Sequence, residues 1–362
     1  MTQIPLRTIL ELVGSAGVGR PIRQDLVRAL GAVRASEERE IFQLLVEHRL
    51  QYLFWNAIKQ SDLRGAFSKQ FLNHLSEEYR TSLIRSAAFE MGLAQSSSAL
   101  SRAKIEFIAC KGAVLSQHYY PQRGLRRMHD LDYWLIEPDV DRCRDALLQV
   151  GFIERPEKAL PDARNFIDSS GVVLDVHLQM SLFETRGFDL LELSQAQPNA
   201  GYRIFVPEAM IAHLLTHLLG HASQTGILIC WLVDLALVMN RHELDVGKIR
   251  ALLRDDGSWA VFLRIVRSFL ELGWIDHDFA LGEQLVQARL LNWESLARAR
   301  RRSGWTGLRG KLRLSRTIVA RPEGHAPLPY FSDLFWQPVD WLLEENTLTG
   351  GAGALLVRRS EG

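Results

Sequence analysis

Asp130 and Asp132 stand two residues apart in the segment Arg126-Arg127-Met128-His129-Asp130-Leu131-Asp132-Tyr133-Trp134-Leu135. Side chains alternate along a strand, so both carboxylates point to one face while Leu131, Tyr133 and Leu135 point to the other. Two carboxylates that close repel unless a cation lies between them. Mg2+ (or Mn2+) suits the pair, because it is held by one or two carboxylates together with substrate phosphates. The plainer reading of Asp-x-Asp alone is two solvated aspartates on an edge strand.

A third carboxylate argues against that plainer reading. Val172-Val173-Leu174-Asp175-Val176-His177-Leu178 puts Asp175 and His177 on one face of an apolar strand and Leu174, Val176 and Leu178 on the other. An isolated carboxylate in a central strand is costly unless paired or metal-bound. With this strand beside the first, Asp130, Asp132 and Asp175 converge. Such a set can hold two divalent ions that clamp the attacking and leaving oxygens of an in-line phosphoryl displacement. His177 is then either a general base or a brace for the carboxylates, against the plain alternative of a structural hydrogen bond. Upstream, Lys111-Gly112 closes a short apolar run, Ile105 to Cys110, and opens a helix. Glycine permits close backbone approach, a helix N-terminus attracts phosphate, and Lys111 can add positive charge to a triphosphate. Alone this is an ordinary turn; ahead of a strand-borne Asp-x-Asp it gains meaning.

The elements that must position these residues follow from periodicity. Residues 1–103 read as an N-terminal helical region, with a helix-period apolar face in Ile41, Leu44, Leu45 and His48 and a further helix from Glu77 to Arg102. Residues 104–204 read as a small α/β core. It has a strand at Ile105 to Cys110, a helix from Ala113 to Tyr119, and a second strand from Met128 to Ile136. A helix N-capped by Asp139 and ended by Gly151 follows, then a hairpin of Arg164 to Asp168 and Val172 to Gln179. Residues 205–300 are helical again, with strongly apolar helices at Met210 to His221 and Ile227 to Arg241. Residues 301–362 form a basic C-terminal extension that ends in a glycine cluster.

With these residues in view, the sequence resembles the nucleotidyltransferase superfamily of the DNA-polymerase-β-like fold. Within it, the chain is similar to the group of uncharacterised bacterial nucleotidyltransferases. Phe107 to Ala113, Arg126 to Leu135, Ala146 to Phe152, Leu174-Asp175-Val176-His177, His213 to His217 and Trp231 to Leu235 carry the resemblance, which spans residues 40–240. It implies an α+β fold: a small mixed-sheet polymerase-β-like core flanked by N-terminal and C-terminal helical regions. It also implies transfer of a nucleoside monophosphate from an NTP to an acceptor, with release of pyrophosphate. Asp130, Asp132 and Asp175 would bind the metals, Gly112 would lie in the phosphate turn, and Arg126 would contact phosphate. The wider superfamily's Gly-Ser turn is replaced here by Lys111-Gly112-Ala113, so no serine hydroxyl faces the phosphates. That change favours a competing expectation, a catalytically silent binding or scaffold protein on the same fold.

The remaining features set bounds. His213, His217 and His221 recur every four residues. That spacing can bind zinc, but His213 is followed by Leu214 rather than the Glu of His-Glu-x-x-His, and bracing a polar cleft with Asp234 or packing between helices fits better. The run Arg298 to Arg316 carries eight basic residues and no acid, either a solvated helix face or a polyanion contact. With 43 basic and 42 acidic residues the net charge is +1, so bulk charge does not hold this chain on nucleic acid. A small-molecule or peptide acceptor is favoured over a nucleic acid. No Gly-x-x-x-x-Gly-Lys-Ser/Thr loop occurs, which argues against a P-loop nucleotide binder. Cys110, Cys143 and Cys230 are scattered in apolar stretches and read as free thiols in a reducing compartment. With no signal peptide and no apolar run long enough to span a bilayer, a cytoplasmic location is expected.

Overall fold

A computed structural model describes residues 6–296 apart from 32, 138, 159–162, 179–186, 226, 254 and 294–295. The basic run Arg298 to Arg316 and the 301–362 extension lie outside the described residues. Seven strands form one mixed sheet: β1 (Phe107–Cys110), β2 (Leu131–Leu135), β3 (Ile153–Glu154), β4 (Ala163–Ile167), β5 (Val173–His177), β6 (Ser194–Ala196) and β7 (Arg203–Phe205). Their order is β3-β4-β5-β2-β1-β7-β6. The β2–β5 and β1–β7 pairs are parallel and the others antiparallel. β1 is buried along its whole length, as an all-apolar strand at the middle of a covered sheet must be.

Among the described residues five α-helices precede the sheet: α1 (Leu6–Gly17), α2 (Gln24–Ala29), α3 (Ala35–Glu47), α4 (Gln51–Gln60) and α5 (Lys69–Arg102). α5 begins where the Ser68 hydroxyl accepts from Phe71 N at 3.2 Å. It runs 34 residues, about 51 Å, beneath one face of the sheet. There the Tyr133 hydroxyl meets Ser96 Oγ at 2.6 Å. Gly92 admits Val172, whose Cγ1 lies 2.9 Å from where a Cβ would stand. α6 (Lys111–His118) and α7 (Val140–Leu148) connect the strands. α7 is capped by the Asp139 side chain, and Gly151 takes a φ of +90° just past its end, as the sequence predicts.

Among the described residues, the sheet is followed by α8 (Pro207–Thr225), α9 (Ile229–Arg241), α10 (Val246–Leu252), α11 (Asp256–Glu271) and α12 (Glu283–Gln287). α8 lies against the opposite face of the sheet, its His213 ring 5.4 Å from Phe205 and 6.1 Å from Trp134. The two helical regions meet at α1. Fully buried Trp274 donates Nε1 to Leu10 O at 3.1 Å, and a Cβ on Gly14 would overlap its indole. Cys110, Cys143 and Cys230 are buried free thiols. Among the described residues no helix is long and apolar enough to cross a membrane.

Two expectations about elements change. The second strand starts at Leu131 rather than Met128, because the preceding carbonyls are taken by side chains: Arg85 Nε bonds Met128 O at 3.0 Å and Arg126 Nη1 bonds Arg127 O at 2.6 Å. Asp130 therefore stands just ahead of the strand, not within it. The long helix starts eight residues earlier than the predicted Glu77, at Lys69. Strands β3, β6 and β7, two or three residues each, were too short to carry a period.

Candidate functional site

One row of residues crosses the centre of the sheet on the face under α8. Cys110 on β1 pairs with Asp132 on β2, Asp132 with Asp175 on β5, and Asp175 with Asn165 on β4. Because β2 and β5 are parallel and in register at Asp132 and Asp175, strand alternation brings both carboxylates to the same face. His177, two residues after Asp175, returns to that face, stacks on Trp134 (centroids 4.3 Å, 15° between planes) and sets Nε2 3.3 Å from Asp132 Oδ1. Asn165 donates Nδ2 to Asp175 Oδ1.

Lys111 leaves β1 directly after Cys110 and opens α6 with a φ of +51°. A left-handed lysine costs about 1–3 kcal/mol and persists where its surroundings fix it. Here the fixing contact is Nζ to Asp132 Oδ1 at 2.7 Å. Gly112 follows, packed so closely on Met128 that an added Cβ would stand 3.3 Å from its Cγ. The Lys111-Gly112 turn therefore abuts the Met128–Asp130 turn, and the two sequence signals meet at one corner of the sheet.

The electrostatics divide the three carboxylates. Burial would raise Asp132, but the Lys111 ammonium and His177 outweigh it and hold its carboxyl far below the usual carboxylate range. Burial and the Asp132 charge push Asp130 up to about 6. Burial also raises Asp175, with the Asn165 hydrogen bond opposing and Asp132 adding to it. Burial, then the Lys111 charge, lowers His213 to about 3 and also lowers His217 and His221, so this line of imidazoles is neutral. His217 and His221 pack on Trp231 of α9 at 5.2 and 5.5 Å.

The donor chemistry fits a hard divalent cation: carboxylate oxygens only, with mutual repulsion that a cation would relieve. The arrangement is not a closed cage. Asp132 Oδ1 is held by Lys111 and His177, and no group of three or more His, Cys, Asp or Glu among the described residues is disposed to hold a metal by itself. Mg2+ does not require one, since it keeps few protein ligands and takes the rest from phosphates and water. The same observation gives the histidine line no zinc site.

Arg126 is placed differently from its expected phosphate contact. Its Nε lies 2.9 and 3.0 Å from the two oxygens of Asp234, to which the Tyr120 hydroxyl also donates at 2.7 Å. Asp234 is fully buried, so the guanidinium is committed to joining the turn before β2 to α9. The reason is local charge: a buried aspartate on an apolar helix requires a partner. Sequence reasoning did not find Asn165, Trp134 or His129. Asn165 shows itself only once strand register is known. Burial and the fields of Arg49, Arg127, Arg85 and Arg126 lower His129, beside Asp130, to about 4.

Comparison with known proteins identifies the family of this chain. A search of curated proteins returns no match. Among solved structures, an antigenic nucleotidyltransferase-like protein from Paracoccidioides brasiliensis is similar at 14% identity and a TM-score of 0.34, covering 57% of this chain and 98% of that one. A family profile described as uncharacterised nucleotidyltransferase matches residues 34–267, which takes in the carboxylate row, the Lys111-Gly112 turn and the Arg126–Asp234 pair. Since that match covers more than half of the 362 residues, the chain belongs to the uncharacterised nucleotidyltransferase family.

Proposed function

We propose that this protein transfers a nucleoside monophosphate from an NTP to an acceptor, a small molecule or peptide rather than a nucleic acid, and releases pyrophosphate. The observation that carries the reading is the pairing of Asp132 with Asp175 on adjacent parallel strands, with Asp130 and the Lys111-Gly112 turn at the same corner. Asp130, Asp132 and Asp175 are the residues that would hold Mg2+ or Mn2+. A bound ion would supply positive charge that offsets the charge of the triphosphate. The Lys111-Gly112 turn presents its backbone to the outer phosphates, while the Lys111 ammonium stays on Asp132. In the transfer, an acceptor hydroxyl or amine forms a new bond to the α-phosphorus, the α–β bridging P–O bond breaks, and pyrophosphate leaves with that oxygen. Asp175, whose proton affinity burial has raised, takes the acceptor's proton. His177 is a positioning residue: stacked on Trp134, it fixes the orientation of Asp132. Positioning and charge neutralisation supply most of the acceleration.

One observation favours a second reading, a nucleotide-binding protein without turnover. Asp132 is already neutralised by Lys111, so the site carries an internal cation where a catalytic carboxylate would meet a metal. A single experiment separates the two. Each NTP is incubated with Mg2+ or Mn2+ and pools of sugar phosphates, peptides, RNA and antibiotics, and pyrophosphate release is measured with Asp130→Ala as control. Release that depends on metal, acceptor and Asp130 supports transfer. Binding of NTP without release under any combination supports the second reading.

A further inference from the structure

Four arginines gather at the turn that leads into β2, and among the described residues three of them form no ion pair with a carboxylate. Arg126 is committed to Asp234. Arg127 follows it and sits by the Tyr52 hydroxyl at the start of α4. Arg85, on α5, is fixed by its bond to Met128 O and by the Phe89 ring, 5.3 Å beneath its guanidinium. Arg49 stands between α3 and α4 with a φ of +58°, half-buried. Its neighbour His48 accepts from Ile229 N at 3.4 Å, which draws the α3–α4 junction to the start of α9. Among the described residues, no carboxylate forms an ion pair with Arg49, Arg85 or Arg127.

Arg85 bonds Met128 O and Arg126 bonds Arg127 O just ahead of His129, whose Nε2 is buried with no hydrogen-bond partner, and the charges of Arg49 and Arg127 reach the same imidazole. Three separate elements thus aim positive charge at one place next to Asp130. Like charges brought together from different parts of a chain repel, and the repulsion grows as they leave water. Arg85 is also held rather than free to swing away. Guanidinium forks match the oxygens of a phosphate, and an anion among them would remove the repulsion and give the His129 corner its missing partner. Lys111 does not supply this role, because its ammonium is bound to Asp132.

We propose that Arg49, Arg85 and Arg127 form an oxyanion subsite beside Asp130 that takes a phosphate group of a substrate. The subsite rests on the nucleotidyl-transfer reading only for which substrate brings the phosphate: the triphosphate of the NTP or a phosphorylated acceptor.

The test is calorimetric titration of the full chain with inorganic tripolyphosphate in chelator, without divalent metal. Under those conditions the carboxylates repel the probe, and the glutamine variants separate binding by these arginines from binding elsewhere on the chain. Wild type is expected to bind. Arg49→Gln and Arg127→Gln are each expected to weaken binding by about tenfold or more, as loss of a charged hydrogen bond implies. Arg127→Lys recovers part of the affinity, and Arg28→Gln, on an exposed turn of α2, changes nothing. Melting curves superimposable on wild type show that the variants fold. No binding by wild type, or equal binding by the glutamine variants, overturns the subsite. Two further titrations assign the source. A loss for a non-hydrolysable NTP with Mg2+ places the triphosphate there, and a loss for ribose 5-phosphate places a phosphorylated acceptor there. Because the first titration uses no metal and no turnover, it stands even where the pyrophosphate-release screen fails.

Discussion

Lys111 Nζ lies 2.7 Å from Asp132 Oδ1, and both side chains are largely shielded from water. The lysine is the counter-charge of the central carboxylate, and it gets there from a left-handed backbone at the strand–helix turn. Removing one partner of a buried pair leaves an uncompensated charge, at a cost of about 3–5 kcal/mol. Asp132→Asn is therefore expected to lower unfolding stability by about 3 kcal/mol and to lower pyrophosphate release by about a thousandfold or more. Lys111→Met combined with Asp132→Leu should unfold later in urea than Asp132→Asn, because no charge is left buried. A double variant less stable than the single one would refute the pairing.

The Arg126–Asp234 pair gives a second, separable expectation. It ties the turn before β2 to α9, and Tyr120 adds a third group to it. Asp234→Asn should destabilise by about 3–5 kcal/mol. In a double-mutant cycle with Arg126→Met the two losses should not add. Additive losses would mean that the residues act independently.

Much of this was legible from residue types. Asp132, Asp175 and His177 lie on the predicted face, because a period of two on apolar strands leaves no other choice. What could not be read was what a side chain does when a partner far along the chain claims it. Arg126 sits four residues before Asp130, and nothing local shows that Asp234, more than a hundred residues later, holds it. The early end of strand pairing at Leu131 has the same origin, since Arg85 on α5 takes the Met128 carbonyl. Strands β6 and β7 form because β1 has an open edge, a property of the sheet and not of their own three residues. The arginines from α3–α4, α5 and the β2 turn come together only in three dimensions.

The imidazole of His213 yields a pH dependence. Burial, then Lys111, brings its folded-state value to about 3, against an ordinary value of about 6.5. Between those values the unfolded chain binds more protons, so stability falls as pH drops from about 6.5. By pH 5 the loss is about 2 kcal/mol from this residue. His213→Phe keeps the ring packing on Trp134 and Phe205 and removes the unpartnered Nε2. Urea unfolding at pH 7 and pH 5 should show the variant losing about 2 kcal/mol less than wild type. Equal losses would mean that His213 already carries its proton in the folded state.

Asp130 has the opposite sign, and it is the residue through which metal and nucleotide should act on stability. Burial and Asp132 raise its folded-state value to about 6, so the folded protein without metal binds the extra proton and loses stability as pH rises from about 4 to 6. A divalent ion that binds only the folded form relieves that repulsion and adds stability by mass action, about 2.7 kcal/mol at a hundred times its dissociation constant. For a chain of this size the shift in Tm is a few degrees. Mg2+ with NTP should therefore raise the Tm clearly at pH 8 and much less at pH 5, where Asp130 keeps its proton. Asp130→Asn retains the size and loses the charge, so its shift should be small at both values. Equal shifts in wild type and Asp130→Asn at pH 8 would place the ligand away from the carboxylate row. An undiminished wild-type shift at pH 5 would remove Asp130 from the metal-binding set even if Asp132 and Asp175 remained in it.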